Sequence, residues 1–393
     1  MNFDITKSME DELVRRKAMY RDLFAGKPLD RLPVDVRVSV PSPYSVQEQF
    51  RDGEKQLEAA LANAMATWEH APSSDCIPAM RPDVGCSCLA SAFGAEYFWG
   101  DNPNQTPGIK DKILTLDGLA DQVAALPSPD PQRDGFLPEG MRRIKRFSEA
   151  GQGVIPVSLL DAAGALNVAS DLLGMTELMM AFYDQPEAVH ALLDKIQLLY
   201  AATIRAGIAA AGGEQSITTT DFEDVWYPEG WKGHVSDDIS AGFGPDMYAE
   251  FSAPYHARIF KEFGAGGLHN CGPNPCHEAY VTHPLSPRSL DLSDQYSHGD
   301  LPKFKQSLRR KAFIYLFYCG PLTRLPPSPR LRRAGGTGGP VQWYREIMEL
   351  MAPDVIVVPV FHIAPQDDPE KLCCELRKVA TEYARRMDWG WES

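Results

Sequence analysis

The chain is expected to fold as a (β/α)8 TIM barrel, an α/β architecture, and three observations predict it. Short apolar runs ending in polar residues alternate with helical stretches about eight times along the 393 residues. No GxGxxG or P-loop follows the first run, which argues against a doubly wound open sheet. Reactive side chains gather just after the runs, where a barrel places its active site: Asp161, Asp221, His269 with Cys271, Asp291 with Asp294, Cys319 and His362.

The elements follow in order. MEDELVRRKAMYRDLFA (9–25) has helical spacing and stops at Gly26 and Pro28, which makes it an N-terminal helical extension. LPVDVRVSV (32–40) alternates like a strand, and EKQLEAALANAMATWEH reads as a helix. SDCIPAMRP is a weak second strand, LDGLADQVAAL a short helix, and 127–138 a proline-rich connection. GVIPVSLLD (153–161) reads as a buried strand. The stretch from Met175 to Ala211 is helical with a break at Pro186. SITTTD (216–221) precedes an aromatic-rich insertion with Trp226, Tyr227 and Trp231, and DMYAEFSAPYHARIFKEFG then reads as one amphipathic helix. GGLHNC, RSLDLSD, AFIYLFYCG and DVIVVPVFHI supply the remaining strands. All 393 residues are assigned to one barrel domain, with insertions near 101–150 and 321–340. The second of these, rich in Pro, Gly and Arg, reads as an exposed loop.

Composition narrows the function. A formal net charge of −14 disfavours nucleic acid, whose phosphates need a basic surface. No apolar run is long enough for a membrane span, and the charged N-terminus lacks the apolar stretch of a signal peptide, so a cytoplasmic location is expected. The eight cysteines are therefore expected to be thiols rather than disulfides. Cys373-Cys374 lies in a helical stretch and reads as packing.

The sharpest motif is His269-Asn270-Cys271, between two glycines and Gly272-Pro273. Residues i and i+2 at a strand end share a face, so both side chains point the same way. Imidazole nitrogen and thiolate sulfur are zinc ligands, and a catalytic zinc keeps one position open for a thiol that loses its proton there. The plain alternative is a polar turn that contains a thiol. Asp237-Asp238 offers carboxylates to orient a ligand or handle a proton, unless one of them caps the next helix. Asp221 ends its strand and joins them as a catalytic candidate.

Several segments resemble the uroporphyrinogen decarboxylase superfamily. DLFAGKPLDRLPV is similar to its opening, ASDLLGMTELMMAFYDQPEAVHALLDKI to its middle helices, and VIVVPVFHIAPQDDPEKLCCELRKV to its last strand and closing helix. HVSDDISAGFGPDMYAEFSAPYHARIFKEFGAGGLHNCG resembles its acidic strand end, its central helix and its H-x-C-G turn. The decarboxylases bind porphyrinogen carboxylates with arginines just after the first strand, whereas 38–46 (VSVPSPYSV) holds none. The zinc-dependent branch moves methyl groups between a corrinoid protein and a thiol such as coenzyme M. It uses a His-x-Cys pair and a distant third ligand near the last strand.

The resemblance thus implies zinc on His269 and Cys271, with His362 as third ligand and Cys319 as the alternative. It implies a corrinoid, free or on a separate protein, as methyl donor or acceptor, and a small-molecule methyl acceptor. Two other readings stay open: a metal-free decarboxylase or lyase acting on a smaller carboxylic acid, and a non-catalytic barrel that binds a corrinoid or ligand. The oligomeric state is not legible.

Overall fold

A computed structural model describes residues 6–223, 225–282, 286–319 and 339–391. The expected loop at 321–340 lies outside the described residues, apart from 339–340, which open the helix Gly339–Met351.

Strand β1 (Asp35–Val38) is buried along its whole length although two of its four residues are charged. Asp35 and Arg37 share one face and satisfy each other: Arg37 Nε and Nη2 donate to the Asp35 carboxylate at 2.9 and 3.0 Å. That pairing lets a polar–apolar alternation sit inside a barrel. A small antiparallel hairpin, β2 (Tyr97–Phe98) and β3 (Gly108–Ile109), stands apart from the main sheet. The remaining strands are β4 (His234–Ser236), β5 (Gly267–His269), β6 (Ser289–Ser293), β7 (Phe313–Phe317) and β8 (Val357–Ile363). They pair in parallel in the order β1-β8-β7-β6-β5-β4.

Shorter contacts carry the ring onward. Asp75 N–H donates to Val34 O at 2.8 Å, and parallel bridges join Met80 to Val157 and Val157 to Ile217. Thr220 N–H then donates to Lys232 O at 3.0 Å, just before β4. The fourth βα unit therefore contributes two extended segments, 217–220 and β4. The loop between them holds no described helix. The eightfold rhythm in the sequence shows itself as these units, and the doubled fourth one was not foreseen.

Helix α1 (Lys7–Phe24) starts at Thr6, whose side chain accepts the Met9 N–H. It buries Leu13, Tyr20, Leu23 and Phe24. Phe24 packs edge-on against Phe313, the first residue of β7, with centroids 5.1 Å apart, so α1 covers the N-terminal end of the strands. Burying each such side chain stabilises by roughly 1.5–3 kcal/mol. Helices α2 (Val46–Arg51) and α3 (Gly53–His70) follow β1. The helix break at Pro186 is present, between Met175–Asp184 and Pro186–Ala210. The stretch read as one amphipathic helix is two, Pro245–Phe251 and Ala253–Phe263, because Ser252 and Pro254 interrupt the ladder. Among the described residues no helix is long and apolar enough to cross a membrane.

Candidate metal centre

Strand β5 ends on His269 and the chain turns sharply. Gly272 has φ +101°, and a Cβ there would lie 2.5 Å from Ser297 Oγ, so glycine is required. Asn270 Oδ1 accepts Gly272 N–H at 2.7 Å, and Ser297 Oγ donates to Cys271 O at 3.1 Å. The turn holds His269 Nε2 3.3 Å from Cys271 Sγ. Asp238, just past the end of β4, reaches the same point. Its Oδ1 is 3.8 Å from His269 Nε2 and accepts Cys271 N–H at 2.9 Å. Among the described residues, Asp238, His269 and Cys271 are the group whose potential ligand atoms all lie within 4.8 Å of one another.

His269 is backed on its other side. Glu223 Oε1 is 3.4 Å from Nδ1, slightly longer than a formed hydrogen bond. The Phe222 ring stands edge-on to the imidazole at 5.4 Å. Burial pulls the His269 pKa below its ordinary value, although Asp238 and Asp291 oppose this. Burial, then Asp238, pushes the Cys271 thiol up to about 12.

The donor set fits zinc. Imidazole, thiol and carboxylate are all zinc ligands, and a carboxylate facing the second ring nitrogen is how ligand histidines are commonly held. A cation among the three would turn the repulsion between Cys271 and Asp238 into shared attraction.

The other expected residues are distributed differently. Asp237 is buried and caps the short helix Asp238–Gly242 by accepting Ser240 N–H at 3.3 Å; His256 Nε2 lies 3.4 Å from its other oxygen. Of the acidic pair, then, Asp237 caps and Asp238 faces the cluster. Asp221 is fully buried and accepts from Ala162 N–H, Phe222 N–H and Tyr200 OH. Asp291 lies in mid-strand inside the barrel, 2.6 Å from His234 Nε2, and accepts from Tyr227 OH at 3.2 Å. Asp294 accepts from Trp343 Nε1 at 3.0 Å. Cys319 follows β7, with its sulfur 3.4 Å from Ser293 Oγ, and it adds to the upward push on Cys271. His362, near the end of β8, stacks on Phe317 and lines a cavity of about 460 Å³ with Arg37 and Arg81. Neither Cys319 nor His362 belongs to the close group. All eight cysteines are free thiols.

The cavity adjoins the cluster. Arg81 donates to Asp161 at 3.0 Å, and its guanidinium carbon lies 4.8 Å from the Phe222 ring centroid. Phe222 thus packs against both Arg81 and His269. Thr106 and Pro107 also line the cavity, and just before them Pro103 O accepts Gln47 N–H at 2.9 Å.

Sequence reasoning missed Glu223, Phe222, Arg81 and His234. Glu223 was the most findable, as an acid two residues past a strand-end aspartate.

Comparison with known proteins agrees with this fold. No curated protein matches the chain. The solved structure of a methyltransferase from Methanosarcina mazei superposes with a TM-score of 0.64, covering 94% of this chain and 98% of that one. The two share 18% sequence identity, so the likeness concerns the fold alone. The family model for uroporphyrinogen decarboxylase matches residues 20–294, well over half of the sequence, and the chain belongs to that family.

Proposed function

We propose that this chain is a zinc-dependent methyltransferase. It moves a methyl group between a corrinoid, free or on a separate protein, and a thiol or related small-molecule acceptor. The observation that carries the reading is the cluster of His269, Cys271 and Asp238 at the ends of neighbouring strands, with Glu223 behind the histidine. His269 and Cys271 would hold the zinc, with Asp238 in the third place that the resemblance gives to His362 or Cys319. Zinc so held supplies a Lewis-acidic position where a thiol gives up its proton near neutral pH.

The chain's own residues do the rest. Glu223, 3.4 Å from Nδ1, favours a proton on that nitrogen, while Nε2 faces the cluster. Asp238 fixes the turn through Cys271 N–H. Phe222 shields one side of the imidazole from water. Asp161, pushed up to about 7 by burial, can hold a proton near neutrality beside Arg81.

A metal-free decarboxylase or lyase acting on a smaller carboxylic acid is the second reading, and the arginine-lined cavity favours it. Elemental analysis of protein purified without added metal separates the two. About one zinc per chain, together with methyl transfer from methylcobalamin to a thiol, is the expected result. Metal-free protein gives the place to the lyase.

A further inference from the structure

We infer that the cavity beside the cluster binds an organic acid with an apolar body, its charged head on Arg81 and its body against α3. The inference rests on the reading above for the ligand's role as substrate, but not for its binding.

The face of α3 turned to the cavity carries Gln56, Ala59, Ala60, Asn63, Ala64 and Thr67, which recur at helical spacing. Its polar members are already engaged. Thr67 Oγ1 and Asn63 Oδ1 accept the N–H groups of Val38 and Val40 at 2.9 and 2.8 Å. Gln56 exchanges two hydrogen bonds with the Asp83 backbone. What α3 leaves open is the alanines, and Ile77 and Pro78 add to the apolar lining. Small side chains on a helix that flanks a cavity leave room for an apolar group.

Two arginines bring charge to the same lining. Arg37 is held by both oxygens of Asp35, and its side chain is 8% exposed. Arg81 donates to Asp161 at 3.0 Å, and its side chain is 34% exposed. Arg81 is thus the more exposed of the two arginines, and its guanidinium carbon lies over the Phe222 ring. Asp83, a carboxylate of the lining, accepts Gly85 N–H at 2.7 Å. Burial weakens the counter-charge on Asp161 near neutral pH. A guanidinium and an alanine-lined helix face in one cavity match an amphiphilic anion. A cavity of about 460 Å³ takes a molecule of ordinary ligand size.

Calorimetric titration of the full chain tests this with four probes: hexanoate, benzoate, acetate and benzyl alcohol. Hexanoate and benzoate should bind saturably, at least about tenfold tighter than acetate or benzyl alcohol, since each of these lacks one half of the match. Arg81→Gln should weaken both acids about tenfold or more and leave benzyl alcohol unchanged. Ala60→Leu, which fills the apolar side, should abolish binding of both acids and does not depend on Arg81→Gln folding. Acetate binding as tightly as hexanoate, wild-type affinity in either variant, or no binding of either acid overturns the inference. Zinc content of the same samples keeps the outcomes apart. Zinc present without acid binding removes only the acid site, whereas acid binding without zinc removes only the methyltransferase reading.

Discussion

Glu223 and His269 face each other at 3.4 Å, carboxylate oxygen to Nδ1, across the junction of two barrel units. A carboxylate in that place fixes which imidazole nitrogen is left for a metal. Glu223→Ala should lower zinc affinity roughly 10–100-fold, and Glu223→Gln should lose less because its amide oxygen still accepts. Competition with a chelating dye measures both, and unchanged affinity in Glu223→Ala would deny the role.

Removing Cys271 should release zinc and leave the fold intact. Its side chain ends a turn at the barrel mouth, away from the core. The third ligand is settled by single variants. Asp238→Asn keeps an acceptor for Cys271 N–H but should lose most of the zinc, while Cys319→Ala and His362→Ala should retain it. Loss of zinc in either of the latter two, with retention in Asp238→Asn, would move the site towards the last strands.

No conversion of uroporphyrinogen to coproporphyrinogen is expected. Residues 38–46 hold no arginine to receive the porphyrinogen carboxylates. Turnover in a porphyrin assay would contradict this.

Lys232 should make stability depend on pH. It is fully buried, donates to Ile217 O and Thr218 O, and sits 4.8 Å over Trp226, which Lys17 and Arg21 also approach. Burial lowers its pKa to about 7; Glu229 and Glu214 oppose this, while Lys17 and Arg21 add to it. Between that value and the ordinary 10.5, the folded chain binds fewer protons than the unfolded one, so stability rises with pH across the window. Urea unfolding at pH 7, 8 and 9 should show a rise that Lys232→Met lacks. Parallel profiles for the two proteins would refute it.

Gly267→Ala should destabilise the barrel by about 1–3 kcal/mol. The new Cβ would lie 2.1 Å from Tyr227 Oη and 2.9 Å from His234 Cδ2. Tyr227 would have to leave Ser289 and Asp291, to which it is bonded. Denaturant midpoints compared with wild type measure the cost.

The His-x-Cys geometry was legible because a two-residue spacing at a strand end is a local property. The repeat of units was legible because it is written in alternating apolar runs. Glu223 and Phe222 were not, since their contact with His269 spans more than forty residues and depends on how the fourth unit doubles back. Asp237 and Asp238 are chemically identical in sequence. Only the start of a short helix, which takes the first as its cap, turns the second towards Cys271. His234 reads as an ordinary polar residue beside a loop, yet it lies fully buried between Asp221 and Asp291.

The doubled fourth unit also divides what this protein can change from what it cannot. Glu223 and Phe222 hang from a segment stitched into the barrel wall at both ends, by Thr220 on one side and β4 on the other. The segment 103–107, which brings Thr106 and Pro107 to the cavity, is by contrast anchored to α2 by surface hydrogen bonds. One edge of the cavity and the backing of the cluster are thus mounted on separate pieces of chain. Exchanging 103–107 for a loop of another length should change that edge of the cavity while Glu223, Phe222 and the cluster stay in place, which makes it the natural segment for diversification in the laboratory or in descent.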